Sequence, residues 1–254
     1  MHGIFGENVE IKDDETIDDL KLQGLRIIQK KKGFRFAIDA VLLAHFATIK
    51  KRDQVIDLGT GTAVIPLLMS TRQEDLKLTG VEIQSEIVEM ANRSIVFNKL
   101  DNIKIIEADL NLLDSSLNQR FNLVVSNPPY FPLNGGKVSS LGAEAIARHE
   151  IKCNLRQVVQ VAAKLIKGQG RFALIHKAER LGEIFSEFEK AKIIPKRLQM
   201  VHSGLKRGAT LVLVEGQRDV KVGLEILKPL IIYNEDGYYS RDILEIYDGG
   251  GDQC

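Results

Sequence analysis

Short apolar runs alternate along this chain with stretches whose apolar positions recur every three or four residues. Residues 55–58, 76–83, 103–108, 121–126, 171–176 and 210–215 read as strands, being short and rich in Val, Ile, Leu and Phe. Between them Ile87, Ala91, Ile95 and Asn98 share one helical face. Leu155, Val158, Val159, Ala162, Leu165 and Ile166 share a second, and Leu181, Ile184, Phe185 and Phe188 a third. Largely apolar strands alternating with helices predict an α/β fold: a mostly parallel sheet with helices on both faces and right-handed crossovers. Before this regular part, residues 16–36 predict one or two strands, and 38–49 a helix carrying Ile38, Val41, Leu42, His45, Phe46 and Ile49. The division expected is an N-terminal extension over 1–50, a core over 51–250 and a tail over 251–254. Residues 131–151 form a long connection, of the kind that often carries function.

Composition narrows the class. With 254 residues, 44% of them hydrophobic and 27% charged, the chain suits one α/β domain with a full core. No apolar run reaches the roughly 18 residues of a membrane helix. The best candidate, 55–69, is broken by Asp57, Gly59, Gly61 and Pro66. The first residues, MHGIFGENVEIKDDE, are acidic and do not read as a secretion signal. Cys153 and Cys254 offer neither a disulfide framework nor metal spacing, so the expected setting is a reducing cytoplasm, without a metal and without a membrane. The net charge of +1 announces no nucleic acid, which would need a local basic patch. Lys30, Lys31 and Lys32 with Arg35 are the best candidates for phosphate contact; Lys50-Lys51-Arg52, Lys196-Arg197 and Lys206-Arg207 read as solvated faces.

Candidate chemistry starts at Asp57-Leu58-Gly59-Thr60-Gly61, which follows a strand and opens a helix. Glycines there let the backbone turn sharply and a ligand come close. A dinucleotide fingerprint would place Gly or Ala where Val64 stands, and Asp57 is awkward beside a pyrophosphate. A carboxylate suits instead a ligand with an ammonium group, and S-adenosyl-L-methionine has one. Glu82, 21 residues after Gly61, ends the next strand and can accept the ribose hydroxyls; Ile83 can pack on adenine. Asp109, after the third core strand, can accept from the adenine amine. Each acid alone also reads as a helix cap or a solvated loop residue. Three of them at the ends of consecutive strands mark the crevice where such sheets bind ligands.

The next strand runs into Asn127-Pro128-Pro129-Tyr130-Phe131. Two prolines enforce an extended turn. The Asn127 side-chain oxygen and the Pro128 carbonyl can then converge on a planar NH₂ group and draw its nitrogen toward a nucleophilic form. Tyr130, with Phe131 beside it, can stack on the planar substrate.

With these motifs the chain resembles the class I S-adenosylmethionine-dependent methyltransferases, and within them the bacterial tRNA(Val) adenine-N6-methyltransferase family. The similarity spans Gly33-Phe34-Arg35-Phe36-Ala37-Ile38-Asp39-Ala40-Val41-Leu42-Leu43-Ala44, Asp57 to Gly61, Asn127 to Tyr130, Ala147-Arg148-His149-Glu150 and Pro229-Leu230-Ile231-Ile232-Tyr233. It implies a Rossmann-like sheet of seven strands, the last antiparallel. It implies that Asp57, Gly59, Thr60 and Gly61 line the methionyl end of the cofactor, with Glu82 on the ribose and Asp109 on the adenine. Asn127 would border the cofactor and, with Pro128 and Tyr130, hold the target base. Residues near Phe34, Phe36 and Asp39 would help to close the site.

The reaction expected is in-line displacement by the amine on the methyl carbon, with a thioether leaving and no metal or covalent nucleophile. No strong general base is needed, so His149 reads as a surface residue and His45, His176 and His202 as packing residues. The substrate class expected is tRNA, at the adenine 3′ of the anticodon, with a monomer a plausible state. The motif also suits a glutamine amide of a release factor, or adenine in DNA or rRNA. The short, strand-like N-terminal extension disfavours the protein substrate, and the intact motifs disfavour a non-catalytic binding module.

Overall fold

The computed structural model describes residues 9–32, 37–130 and 154–248. Strands β1 (Glu15–Asp19) and β2 (Arg26–Lys30) form an antiparallel hairpin ahead of the main sheet. Helix α1 (Ile38–Phe46) follows, then β3 (Gln54–Leu58), α2 (Val64–Met69), β4 (Lys77–Glu82), α3 (Ser85–Phe97), β5 (Ile103–Glu107) and β6 (Phe121–Ser126). After the undescribed 131–153 come α4 (Leu155–Leu165), β7 (Ile166–Lys177), α5 (Leu181–Lys190), β8 (Ile193–Gly204), β9 (Ala209–Arg218), β10 (Glu225–Ile226), β11 (Leu230–Tyr233) and α6 (Arg241–Tyr247).

The main sheet runs β5-β4-β3-β6-β7-β9-β8, and both short strands, β10 and β11, pair with β8. Only β9 is antiparallel to its neighbours. The parallel core therefore matches expectation, including the inverted seventh strand, while the full count is nine because β10 and β11 extend the β8 edge. Alternate strand residues feed two cores. Val55, Leu78, Leu123, Val125, Ala173 and Ile175 pack with α1, α2 and Ile95 of α3, whereas Ile56, Leu58, Val81, Val124, Phe172 and Leu174 pack with α4 and α5. Burial on both faces is why these strands read as largely apolar runs rather than as alternating patterns.

Hydrogen bonds and ion pairs attach the described part of the first 50 residues to the core that follows. In β2, Ile28 N donates to Ser94 Oγ at 3.0 Å, and the Asn98 side chain both accepts from Arg26 N at 2.9 Å and donates to Arg26 O at 2.6 Å. Arg93 grips both oxygens of Glu15 at 2.7 Å, and its guanidinium holds that carboxyl down to about 2. Helix α1 stops at Phe46, short of the expected Ile49, because Thr48 is captured elsewhere. Its amide and hydroxyl each donate to Glu215 at 2.7 Å, and Arg197 caps Phe46 O at 3.0 Å. His45 lies on the exposed side of α1 and His202 is half-buried on β8, so neither is the core packing residue expected.

Gly80 of β4 sits where no side chain fits. A Cβ there would stand 2.6 Å from Thr60 Cγ2 and 2.8 Å from Ile105 Cδ1. Gly80→Ala is expected to cost about 1–3 kcal/mol, a fall in Tm of several degrees, and to displace the Thr60 loop. Thermal unfolding with and without S-adenosyl-L-methionine measures both effects; an unchanged Tm would show that the loop yields freely.

Candidate active site

Strand register brings the predicted residues to one edge. Asp57 pairs across the sheet with Gly80 on one side and Val125 on the other. Two residues further on, Gly59, Glu82 and Asn127 thus end up level at the carboxyl ends of β3, β4 and β6. Glu82 in turn pairs with Glu107, which puts Asp109 just beyond the end of β5. In open α/β sheets this edge is the ligand crevice.

The glycine loop needs the conformations that glycine supplies. Gly59 and Gly61 have φ of +75° and +56°. The amides of Gly59 and Thr60 both donate to Val81 O, at 3.0 and 2.9 Å, which folds the loop over the end of β4. Ala63 then enters α2 with φ +66°, a left-handed residue of the kind that gathers at functional sites. The loop is also tied to Glu82, whose Oε2 accepts from Gly61 N at 3.1 Å. Its Oε1 accepts from the amides of Ile83 at 2.9 Å and Gln84 at 3.0 Å. Glu82 is thereby fixed between the two loops that would enclose a ribose, and Ile83 beside it is half-buried.

Asp57 is the electrostatic anomaly. It is 1% exposed, and neither carboxylate oxygen has a hydrogen-bond partner among the described residues; the buried Thr60 hydroxyl has none either. Burial pushes the Asp57 carboxyl up to about 7, and the Glu82 charge adds to the rise. The Thr60 hydroxyl is close enough to oppose that rise without completing a bond. A buried carboxylate without a partner is costly, and here it lies below the glycine loop. The acceptors present fit S-adenosyl-L-methionine: a cationic amine would satisfy Asp57, and Glu82 stands one strand over. Asp109 takes the cap role that was its bland alternative, its Oδ1 accepting from Asn111 N at 2.9 Å and Asn111 Nδ2 at 3.0 Å.

At the end of β6, Ser126 Oγ donates to Leu58 O at 2.9 Å and locks this strand end to β3. Pro128 is buried and Asn127 half-buried. The Tyr130 hydroxyl lies 2.6 Å from Asn127 Oδ1 and 2.7 Å from Asp39 Oδ2 on α1. Burial first, then the Asp39 charge, raise the phenol far above its usual range, so it stays protonated. His176, at the end of β7, sets its ring 5.2 Å from that of Tyr130 and forms the wall behind it. Burial, and then Arg180, push the imidazole down to about 4, so it is neutral at working pH. Sequence reasoning had this histidine as packing and missed its place at the site; its position at the carboxyl end of a strand was the available signal.

Of the phosphate candidates, Lys30 is held by Asp14 at 2.7 Å and Glu86 at 2.5 Å, and these pairs raise its ammonium. Lys31 donates to Asp13 O at 2.7 Å and, like Lys32, is exposed. Phe34, Arg35, Phe36, Phe131, His149 and Cys153 lie outside the described residues. No group of three or more His, Cys, Asp or Glu residues with metal-binding geometry occurs among the described residues.

Comparison with known proteins identifies the family of the chain. The methyltransferase small domain family model matches residues 38–179. A tRNA1(Val) (adenine(37)-N6)-methyltransferase of Porphyromonas gingivalis is 30% identical over 84% of this chain and 87% of its own length. One of the same description from Aliivibrio salmonicida is 25% identical over 84% of this chain and 89% of its own. Among solved structures, a predicted O-methyltransferase from Agrobacterium tumefaciens superposes with a TM-score of 0.67 at 21% identity, covering 84% of this chain and 97% of that one. At that identity the likeness speaks for the fold alone. A family match over more than half the chain, and the relative of 30% identity, show that this chain is a methyltransferase of the small-domain family and belongs with the tRNA1(Val) (adenine(37)-N6)-methyltransferases.

Proposed function

We propose that this methyltransferase acts on RNA, at N6 of the adenine 3′ of the anticodon of tRNA(Val). The observation that carries the reading is the meeting, on one sheet edge, of an unpartnered buried Asp57 and the Asn127–Tyr130 turn. Bound S-adenosyl-L-methionine supplies a methyl group already activated on a sulfonium. The chain supplies alignment and polarisation. Asp57 takes the ammonium of the cofactor, and Glu82 its ribose hydroxyls. Asn127 and the Pro128 carbonyl accept from the target NH₂, while Tyr130, braced by His176, stacks on the base. A base within a tRNA loop reaches such a pocket by leaving its stack. Two cysteines without disulfide spacing suit work in the cytoplasm.

The direct test is transfer of labelled methyl to tRNA lacking the modification, followed by nucleoside mass spectrometry. N6-methyladenine next to the anticodon is expected, with a release factor offered in parallel left unmodified. Methylglutamine in the release factor and untouched tRNA would move the assignment to a protein amide.

Phosphate contact falls to Lys31, Lys32 and Arg35 rather than Lys30, whose charge is already shared by two carboxylates. The double change Lys31→Ala, Lys32→Ala is expected to reduce the log–log salt slope of tRNA binding by about 0.7–0.9 for each phosphate left without its lysine. Affinity for S-adenosyl-L-methionine should stay the same. Binding curves at several salt concentrations decide it, and an unchanged slope would remove both lysines from the interface.

A further inference from the structure

The Tyr130 hydroxyl presents an accounting problem whose solution identifies a further residue of the site. Its oxygen lies within 2.7 Å of two oxygen atoms, Asp39 Oδ2 and Asn127 Oδ1, yet it has one proton to donate. A carboxylate accepts and never donates, so the proton belongs on the Asp39 side. The phenol oxygen then faces Asn127 as an acceptor, and an acceptor against the amide oxygen is repulsive. Exchange of the amide oxygen and nitrogen, which have nearly the same shape, removes the conflict. The Asn127 NH₂ then donates to Tyr130, Tyr130 donates to Asp39, and every donor meets an acceptor. The exchange also turns the Asn127 oxygen away from Tyr130, free to accept from an incoming amine.

We infer that Asp39 is a positioning residue: through the Tyr130 hydroxyl it sets the amide of Asn127 with its oxygen toward the substrate amine. The inference rests on the reading that Asn127 holds the target NH₂. The relay has a structural basis at each point. Asp39 is held on the first turn of α1, where its Oδ1 accepts from Ala40 N at 2.9 Å. Helix α1 is itself anchored through Arg197 and the Thr48–Glu215 bonds beyond its end. Tyr130 is confined between α1 and the ring of His176. The carboxylate gives the relay its polarity, because it is the one member that cannot donate. In Asp39→Asn that polarity is lost: an amide in its place can donate to the phenol as well as accept from it, and Asn127 is free to present either end.

The test is a double-mutant cycle of Asp39→Asn and Tyr130→Phe, read by single-turnover methylation of unmodified tRNA, with Asn127→Ala alongside. Tyr130→Phe keeps the stacking ring and removes only the hydroxyl. Each single variant is expected to lose about 10- to 100-fold in rate, the usual scale for a partner that orients a reacting group. Cofactor and tRNA affinities should stay within about twofold, and Tm should change little. The double variant should be no slower than the slower single one, because both changes break the same relay. Strictly multiplicative losses, or an Asp39→Asn variant with the wild-type rate, overturn the inference. If Asn127→Ala is itself active at the wild-type rate, the failure lies with the role of Asn127 and not with its positioning. Should Asp39→Asn not fold, Tyr130→Phe alone decides: a wild-type rate there breaks the relay at its middle member.

Discussion

Asn127→Ala should lower the single-turnover rate of methyl transfer by on the order of 10²-fold or more while leaving S-adenosyl-L-methionine affinity within about twofold. The expectation follows from position. Asn127 stands level with Gly59 and Glu82 across two strand pairings, at the sheet edge where the proposed function has the cofactor and the base meet. An exocyclic amine conjugated with a ring is a poor nucleophile, because its lone pair is delocalised. Two acceptors on its hydrogens favour the pyramidal nitrogen that attacks, and that help is realised mainly in the transition state. Loss of one acceptor therefore appears in the chemical step rather than in binding. Tyr130→Ala should lose rate as well, and also weaken binding of the base, because the stacking ring goes with the hydroxyl. Single-turnover rates measured beside calorimetric cofactor binding separate the cases. A wild-type rate for Asn127→Ala would mean that the target amine is polarised by other groups.

The parallel core was legible because burial on both faces leaves a simple trace. Residues 121–126 carry Phe121, Leu123, Val124 and Val125, and strand β6 forms there with both cores beside it. Strand β8 left no such trace. In Ile193–Gly204 only Ile193, Leu198 and Val201 are buried, and Pro195 and charged residues interrupt the pattern. What makes it a strand is its partner β9, a tertiary fact that no local window holds. The short β10 and β11 are strands for the same reason, through pairing with β8. The early end of α1 is likewise a long-range effect, since Glu215 lies 167 residues from Thr48 in sequence.

The site divided along the same line. Asp57, Glu82 and Asn127 each follow an apolar run, so the sequence itself places them at strand ends on one sheet edge. The partner of Tyr130 was beyond that logic. Asp39 reaches it from 91 residues away, and His176 comes from a strand that pairs with β6 only after the long connection. Lys30 shows the opposite case. Its neighbours in sequence are cations, which suggested a phosphate site, while its neighbours in space are Asp14 and Glu86. Runs of charge are visible in one dimension, and their neutralisation is visible only in three.

Asp57→Asn should stabilise the ligand-free protein above neutral pH and weaken its hold on S-adenosyl-L-methionine by about tenfold or more. The carboxyl is raised to about 7 by burial, with Glu82 adding to the rise. Its folded-state pKa thus lies above that of the unfolded chain, and the folded protein binds the extra proton between about pH 4 and 7. The stability due to that proton is complete below about pH 4 and is lost as pH rises through 7. At roughly 1.4 kcal/mol per pKa unit, the loss at pH 8 is on the order of 2–4 kcal/mol. Asparagine keeps the shape of the neutral acid and has no charge to bury, so the ligand-free Tm of Asp57→Asn should exceed that of the wild type at pH 8, by a margin that narrows as pH falls and closes near pH 4. Cofactor binding reverses the order. A cationic amine beside Asp57 stabilises the carboxylate, so wild-type affinity should fall by about tenfold or more between pH 7.5 and 5.5, whereas that of Asp57→Asn should be weak and nearly flat over the range. Thermal unfolding from pH 4 to 8, with and without S-adenosyl-L-methionine, measures both arms. Parallel Tm curves for the two proteins, or a variant that binds the cofactor as the wild type does, would show that Asp57 is neither the strained group nor the partner of the ammonium.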